Sequence, residues 1–334
     1  ALDPTLAFSP RKEEIIQLDK IGRVECVATS QIRWEPYSSN VFARSSFKLV
    51  CAESVSLSKI MDYCLGLDLL FGFLVGFRAK PPKFKVSTIE TIQIDDDTTV
   101  QREGELEIGG LNWSNDSIPH PMYHIHLNGR TDVDISSVLT AFFENAEDIA
   151  TRIRTIENCR FFSRNINDKF SSVMPVLEKY LQKVYTSPEE ENYINSQKRF
   201  FEYIEESKDS ELIAFSQKHL CIKNKKTPSL KTLLERAICK VSSYGFQINE
   251  DFAKRISQRR GKMFHALPKF DHKDAMLFYG ETNVAIALLM IHTYLDLGVD
   301  VSKLHETLCF VPEFDFLTKP KERPASPPNN HPSQ

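Results

Sequence analysis

The sequence predicts an α+β protein in which a β-rich N-terminal domain precedes an all-α domain. Before about residue 130, short runs rich in Val, Ile and Phe alternate imperfectly with polar residues, as strands do. After that point, apolar residues recur at helical spacing almost to the end of the chain. We therefore predict a mixed β-rich domain over residues 1–130, a helical bundle over residues 131–315 and a disordered tail over residues 316–334.

One long helix is expected to interrupt the strands of the first domain. Residues 20–52 contain two strand-like runs around the turn-like segment EPYSSN, and three more runs follow between residues 83 and 129. Between these groups, residues 60–77 form the most apolar run of the chain, about long enough to span a membrane. Asp62 and Asp68 in this run would each cost roughly 2.5–3.5 kcal/mol at a bilayer centre. A buried helix without a membrane span is therefore predicted.

The second domain is predicted to be a bundle of helices. Seven segments carry apolar residues at helical spacing, namely residues 135–159, 166–185, 188–207, 210–220, 229–246, 250–267 and 274–298. Short connections between amphipathic helices are typical of a bundle. The C-terminal segment FLTKPKERPASPPNNHPSQ is rich in Pro, Ser and Asn and cannot bury a core, so we expect it to be disordered.

Composition limits the classes of function. The chain has 42 Lys and Arg against 45 Asp and Glu, so the formal net charge is −3 and any affinity for nucleic acid must come from a local basic patch. Seven cysteines without a CxxC pair indicate reduced thiols and a cytoplasmic protein. The first residues lack the apolar region of a secretory signal. No Gly-rich phosphate loop, nucleophile elbow or HExxH motif occurs, so we expect no cofactor.

Two polar clusters in the first domain are candidate metal sites. In HPMYHIH, His124 and His126 would share one face of a strand, close to His120. Asp95 to Asp97 form a triple acid that could bind a hard cation. Ordinary alternation in a half-exposed strand explains the histidines equally well, and a charged turn explains the acids. We predict no metal site at either place.

The stretch RISQRRGKMFHALPKF, residues 255–270, is the strongest candidate for chemistry. It combines a cluster of basic residues with a single histidine, His265, five positions after Arg260. An Arg-to-His spacing of this kind is common by chance, so its context matters. The helix has a predicted buried stripe and a proline at its end, formed by Phe252, Ile256, Met263, Leu267 and Pro268. A phosphate could lie between Arg260 and His265. The competing interpretation is a core histidine beside a solvated basic face.

Three segments together carry a resemblance to a known family. The blocks NYINSQKRFFEYIEES, RISQRRGKMFHAL and AIALLMIHTYLDLGV resemble the C-terminal domain of ApeA-type proteins, which belong to the HEPN superfamily of helical RNases of bacterial antiviral defence. The β-rich first part, with its segment SLSKIMDYCLGLDLLFGF, is similar to the N-terminal domain of the same family. The resemblance covers most of the chain.

This resemblance implies a metal-independent endoribonuclease whose active site is composed from two copies of the chain in a homodimer. His265 would act as general base or acid, since the pKa of a histidine lies near neutrality. Arg260 would stabilise the charge that develops on the phosphate oxygens. Glu205, in RFFEYIE, would orient this pair from a facing helix. The expected substrate is RNA, with tRNA as the leading candidate, and the expected role is that of a toxic enzyme in phage defence, switched on by a phage-derived trigger.

Other basic residues of the same helix are assigned to RNA binding. Arg255, Arg259 and Lys262 would hold the phosphate backbone without taking part in the chemistry. One position departs from the family, because Gly261 stands where an Asn or another polar residue usually follows the motif arginine. The alternative function is therefore a catalytically weak or inactive HEPN module that binds RNA or a protein partner, and a purely structural dimerisation domain is a third possibility.

Overall fold

A computed structural model shows a mostly helical protein with antiparallel strands near its N-terminus, which confirms the predicted α+β class. The structure describes residues 5–6, 12–18, 21–35, 38–53, 55–75, 84–93, 99–108, 134–163, 165–219, 228–263, 272–308, 311–315 and 317. The histidines of HPMYHIH, the triple acid at Asp95 to Asp97 and residues 318–334 of the predicted tail lie outside these ranges. Leu317, at the start of that tail, is buried in the core.

The strands form two antiparallel sheets. In the first, the long β3 is central, with β4 along one edge and with β1 and β2 along the other. The second sheet pairs two strands, β5 and β6. The bounds are Thr5–Leu6 for β1, Lys12–Leu18 for β2, Gly22–Glu35 for β3, Ser38–Cys51 for β4, Phe84–Gln93 for β5 and Thr99–Ile108 for β6.

A glycine makes the tight connection from β2 to β3 possible. Gly22 has a φ of 134°, in a region of backbone conformation that side chains disfavour. A Cβ atom at this position would lie 2.0 Å from the carbonyl oxygen of Val50 in β4. The adjacent Ile21 donates its N–H to the carbonyl of Leu18 and accepts from the N–H of Ala52. The sequence at the turn therefore allows three strands to meet closely.

The long apolar run forms helix α1, Leu57–Val75, as expected. Its buried face includes Leu70, Phe73 and Leu74 and belongs to the same core as the helices of the second predicted domain. The ring of Phe73 stacks on that of Tyr294 at a centroid distance of 4.5 Å, and the Tyr294 hydroxyl donates to the Phe73 carbonyl at 3.2 Å. The hydrophobic core therefore crosses the boundary at residue 130.

The helical part contains nine α-helices within the described residues. Their bounds are Ile135–Glu144 for α2, Ala146–Glu157 for α3, Ile166–Tyr185 for α4, Pro188–Glu206 for α5, Ser210–His219 for α6, Leu230–Ser242 for α7, Phe252–Met263 for α8, His272–Asp296 for α9 and Val301–Leu308 for α10. The segment predicted as one helix over residues 135–159 divides at Asn145, and a π-helical turn, Asn158–Phe162, follows α3. A 3₁₀ turn, Pro312–Phe314, comes after α10.

Helix α9 forms the centre of the bundle and contacts α3, α4 and α7. Every residue from Tyr294 back to Gly280 is buried, which is why the helix lacks a polar face. Within the described part of the chain, Lys273–Asp296 is the one helix long and apolar enough to cross a membrane, and 78% of its apolar window is buried inside the protein. A helix buried to this extent inside the protein is typical of a hydrophobic core.

Local polar residues fix where several helices begin. The side chains of Asp134, Asn165, Ser187 and Ser229 each accept a hydrogen bond from a backbone N–H in the first turn of the helix that follows. At α5 the cap is reciprocal, since Glu190 also accepts from the Ser187 N–H. Such caps satisfy N–H groups that have no partner within the helix.

Candidate functional site

Helix α8 carries the candidate site and is held by its apolar side. Phe252, Ala253 and Ile256 are buried, which confirms the part of the predicted stripe that the structure describes. The helix is described to Met263, and residues 264–271, with His265, lie outside the described residues. The side chain of Lys262 also lies outside them. The roles assigned to His265 and Lys262 therefore stay predictions.

Arg255 and Arg259 share one carboxylate on the central helix. The two residues are one helical turn apart and lie on the same face of α8. The Nε of Arg255 lies 2.6 Å from Oε1 of Glu281, and the Nε of Arg259 lies 2.5 Å from Oε2 of the same residue. Glu281 is 3% exposed, whereas Arg255 is 29% and Arg259 18% exposed. One buried acid thus holds two partly buried arginines.

Further contacts restrict both guanidinium groups. The Arg259 guanidinium lies over the ring of Phe278, 5.4 Å from its centroid, and this buried ring packs in turn against Phe170. Arg255 has a longer ion pair, at 3.7 Å, with Asp251 in the preceding turn. Because Phe278 and Glu281 are three residues apart on α9, they present the ring and the carboxylate on one face. The arginines are therefore oriented by α9.

Arg260 points to a different helix. Its Nη2 lies 2.6 Å from Oε2 of Glu178 on α4, with the two side chains 34% and 20% exposed. This is a charge-assisted contact at the edge of the bundle, where solvent reaches both groups. Arg255, Arg259 and Arg260 of α8 are thus all paired with acids. The acids lie on the two neighbouring helices α4 and α9.

Glu205 is not one of the acids in these pairs. It lies in the last turn of α5 and is exposed, and the acid that the structure brings to Arg260 is Glu178. The catalytic role assigned to Glu205 stays a prediction. Sequence reasoning missed Glu178 and Glu281 as partners of the arginines. Glu281 did carry a signal, because an acid inside the apolar run GETNVAIALL requires a partner when the run is buried.

The position after the motif arginine is open to solvent. Gly261 is exposed, and a Cβ atom added there would meet no described residue within 4 Å. An alanine side chain therefore fits against the described neighbours. Packing among the described residues does not require a glycine at this position.

A second polar cluster lies near the C-terminal end of α9. Tyr180 donates its hydroxyl to Asp296 at 3.0 Å, and Arg152 reaches the other oxygen of Asp296 at 2.7 Å. His292 is buried between the rings of Tyr180 and Tyr185, at centroid distances of 5.3 and 5.6 Å. Burial, with a smaller contribution from the cations of Arg152 and Lys240, lowers the pKa of His292 to about 3. The imidazole is therefore neutral near neutrality, with no charge to offer a ligand.

Metal binding finds no support in the described part of the chain. No group of three or more His, Cys, Asp or Glu side chains there is placed to hold a metal ion. The histidine and aspartate clusters considered in the sequence lie outside that part.

The fold and the site together define a helical bundle with an arginine-rich face anchored by acids on neighbouring helices. In the comparisons with known proteins, no family model matches the chain, no curated protein matches it and no solved structure matches it.

Proposed function

We propose that the protein is a metal-independent endoribonuclease of the HEPN type that acts in phage defence. The observation that carries the proposal is the arginine face of α8, where Arg255, Arg259 and Arg260 are ordered by acids on two other helices. Ordered guanidinium groups are suited to bind phosphate oxygens. His265 follows five residues after Arg260. The protein would act in the cytoplasm, with RNA, and tRNA in particular, as its substrate.

The chemistry needs one base, one acid and a group that stabilises negative charge. The 2′-hydroxyl of a ribose attacks the adjacent phosphorus while His265 takes its proton. The bond to the 5′-oxygen of the next nucleotide breaks, and this oxygen receives a proton from a second His265 in the partner copy. The products are a 2′,3′-cyclic phosphate and a 5′-hydroxyl end. Arg260 would stabilise the charged phosphorane, which requires it to leave or share its contact with Glu178.

A cleavage assay tests this proposal. Purified protein and its His265→Ala variant are incubated with total tRNA in excess EDTA, and the new RNA ends are identified chemically. We expect cyclic phosphate ends with the wild type and intact tRNA with the variant. A circular dichroism spectrum and a sedimentation measurement of both proteins verify equal fold and equal oligomeric state. Equal cleavage by both proteins would refute the role of His265.

A second candidate function is an RNA-binding module without catalytic activity. Two observations favour it: the contact of 2.6 Å between Arg260 and Glu178, and the glycine at position 261. The first neutralises the arginine expected to stabilise the transition state. For such a module, His265→Ala keeps the RNA affinity of the wild type, while Arg259→Ala weakens it, and the affinity falls with salt. Intact tRNA after incubation with the wild type, together with salt-dependent RNA binding, would favour this second function.

A further inference from the structure

We propose that Glu281 is a positioning residue that orders Arg255 and Arg259 for binding of an RNA backbone. This inference rests on the proposed function, which supplies the RNA, and adds a residue that the motif does not contain. Glu281 is buried and never needs to contact the substrate. Its effect on RNA binding would pass entirely through the two arginines, each of which donates a hydrogen bond from Nε to its carboxylate.

The geometry shows which atom of each arginine Glu281 anchors. Both arginines contact Glu281 through Nε, the nitrogen nearest the side-chain stem. A guanidinium has five N–H donors in a rigid fork, so an anchored Nε also fixes the direction of the terminal nitrogens. Those of Arg255 lie 3.7 Å from a carboxylate oxygen of Asp251 and 3.5 Å from the side-chain oxygen of Asn249, long contacts that a phosphate can replace. A carboxylate that accepted from the terminal nitrogens would instead occupy the donors that a phosphate uses. The contact through Nε therefore orients both arginines through a nitrogen other than the terminal ones.

Charge and packing favour the same conclusion. Two arginines one turn apart repel each other, and the Glu281 carboxylate between them offsets this repulsion. Arg259 is also fixed by the ring of Phe278, which is buried and cannot move away. Long cationic side chains lose conformational freedom on binding, so arginines that are ordered beforehand bind an anion more tightly.

The proposal makes a prediction that differs in sign from simple electrostatics. Removal of a negative charge from the protein raises its net charge, and the long-range field alone would then tighten RNA binding. If Glu281 orders the arginines, Glu281→Gln instead weakens RNA binding, because the charge that holds two guanidinium groups is lost. We expect the Kd to rise about tenfold, which corresponds to about 1.4 kcal/mol.

The experiment measures binding of a fluorescein-labelled single-stranded RNA of mixed sequence by anisotropy at low and moderate salt. The proteins compared are the wild type, Glu281→Gln and a matched control, Glu235→Gln. Glu235 is exposed on α7 and pairs with Lys231 at 3.4 Å, so its substitution removes the same charge without removing an ion pair of either arginine. The control is expected to bind as the wild type does or slightly more tightly. In the cleavage assay, Glu281→Gln is expected to raise KM and to leave kcat nearly unchanged.

A double-mutant cycle separates positioning from a structural role. In a protein with Arg255→Met and Arg259→Met, the further change Glu281→Gln is expected to alter the Kd less than about twofold, because residues that act as one unit are not additive. A structural role would lower the thermal stability of Glu281→Gln and leave the RNA affinity of the folded protein unchanged. If Glu281→Gln does not fold, Glu281→Asp replaces it, since this variant keeps the charge but is too short to reach both arginines.

The possible results distinguish this inference from the proposed function. Binding by Glu281→Gln that equals or exceeds that of the wild type, while the two arginine substitutions weaken binding, overturns the inference and leaves the proposed function in place. Absence of RNA binding by the wild type at low salt overturns both. Weaker binding by Glu281→Gln with an unchanged control supports both.

Discussion

The buried histidine of the core makes the stability of the protein depend on pH in a way that one substitution can isolate. His292 is packed between the rings of Tyr180 and Tyr185 of α4, and its Nε2 has no hydrogen-bond partner among the described residues. Arg152 of α3 and Lys240 of α7 are the cations that act on it. Burial, with these charges, lowers its pKa from 6.5 to about 3. The folded protein therefore resists protonation that the unfolded chain accepts.

The sign and size of the effect follow from this difference. Below about pH 6.5 the unfolded chain binds a proton that the folded protein does not bind, so stability is fully present above that pH and is lost as the pH falls towards 3. Within this window the loss approaches about 1.4 kcal/mol per pH unit. Between about pH 7 and about pH 5, His292 is expected to account for roughly 2 kcal/mol of lost stability.

The assay is urea denaturation followed by circular dichroism for the wild type and for His292→Phe at several pH values. Carboxylates that titrate in the same range contribute equally to both proteins and cancel in the difference. We expect His292→Phe to lose about 2 kcal/mol less than the wild type between about pH 7 and about pH 5. The same dependence on pH in both proteins would refute the reasoning, because it would mean that His292 takes up a proton in the folded state.

Three further substitutions have expected outcomes. Gly22→Ala should destabilise the protein by about 2 kcal/mol or more in thermal unfolding, because its Cβ would lie 2.0 Å from the Val50 carbonyl; an unchanged melting temperature would contradict this geometry. Gly261→Ala should stabilise α8 by roughly 0.5–1 kcal/mol, since an added Cβ meets none of the described residues, and destabilisation would show that the position is confined. Arg236→Gln removes the paired contacts to Glu190 at 2.9 and 3.0 Å and should speed amide exchange at the start of α5, whereas unchanged exchange there would show that the cap alone holds it.

The helices could be predicted from the sequence because their signals are local. α1 and the seven predicted helical segments carry apolar residues at regular spacing, and the observed helices agree with them to within a few residues at most ends. The break at Asn145 and the short α10 were missed. β2 was also missed, because Ile15 is 61% exposed while the adjacent Ile16 and Leu18 are buried. An exposed apolar residue next to buried ones obscures the alternation that identifies a strand.

The candidate site was predictable only in the half that lies on one helix. The cluster of arginines is visible in α8, because neighbouring positions of a helix lie close together. Their acidic partners Glu178 and Glu281 lie on α4 and α9, and only the packing of three helices brings them to the arginines. The role assigned to Glu205 came from the family resemblance, which indicates the type of residue but not the residue that it contacts. Pairings between distant segments depend on tertiary structure and leave no spacing in the sequence.

The central helix gives the molecule a mechanical property. α9 touches α1 through Tyr294, and thirteen residues earlier it carries Glu281, so the two contacts are about 20 Å apart along one helix. A helix buried along this length is a stiff strut, since its neighbours leave it no room to bend. A displacement of α1 along the axis of this strut would reach the arginine pair with little loss.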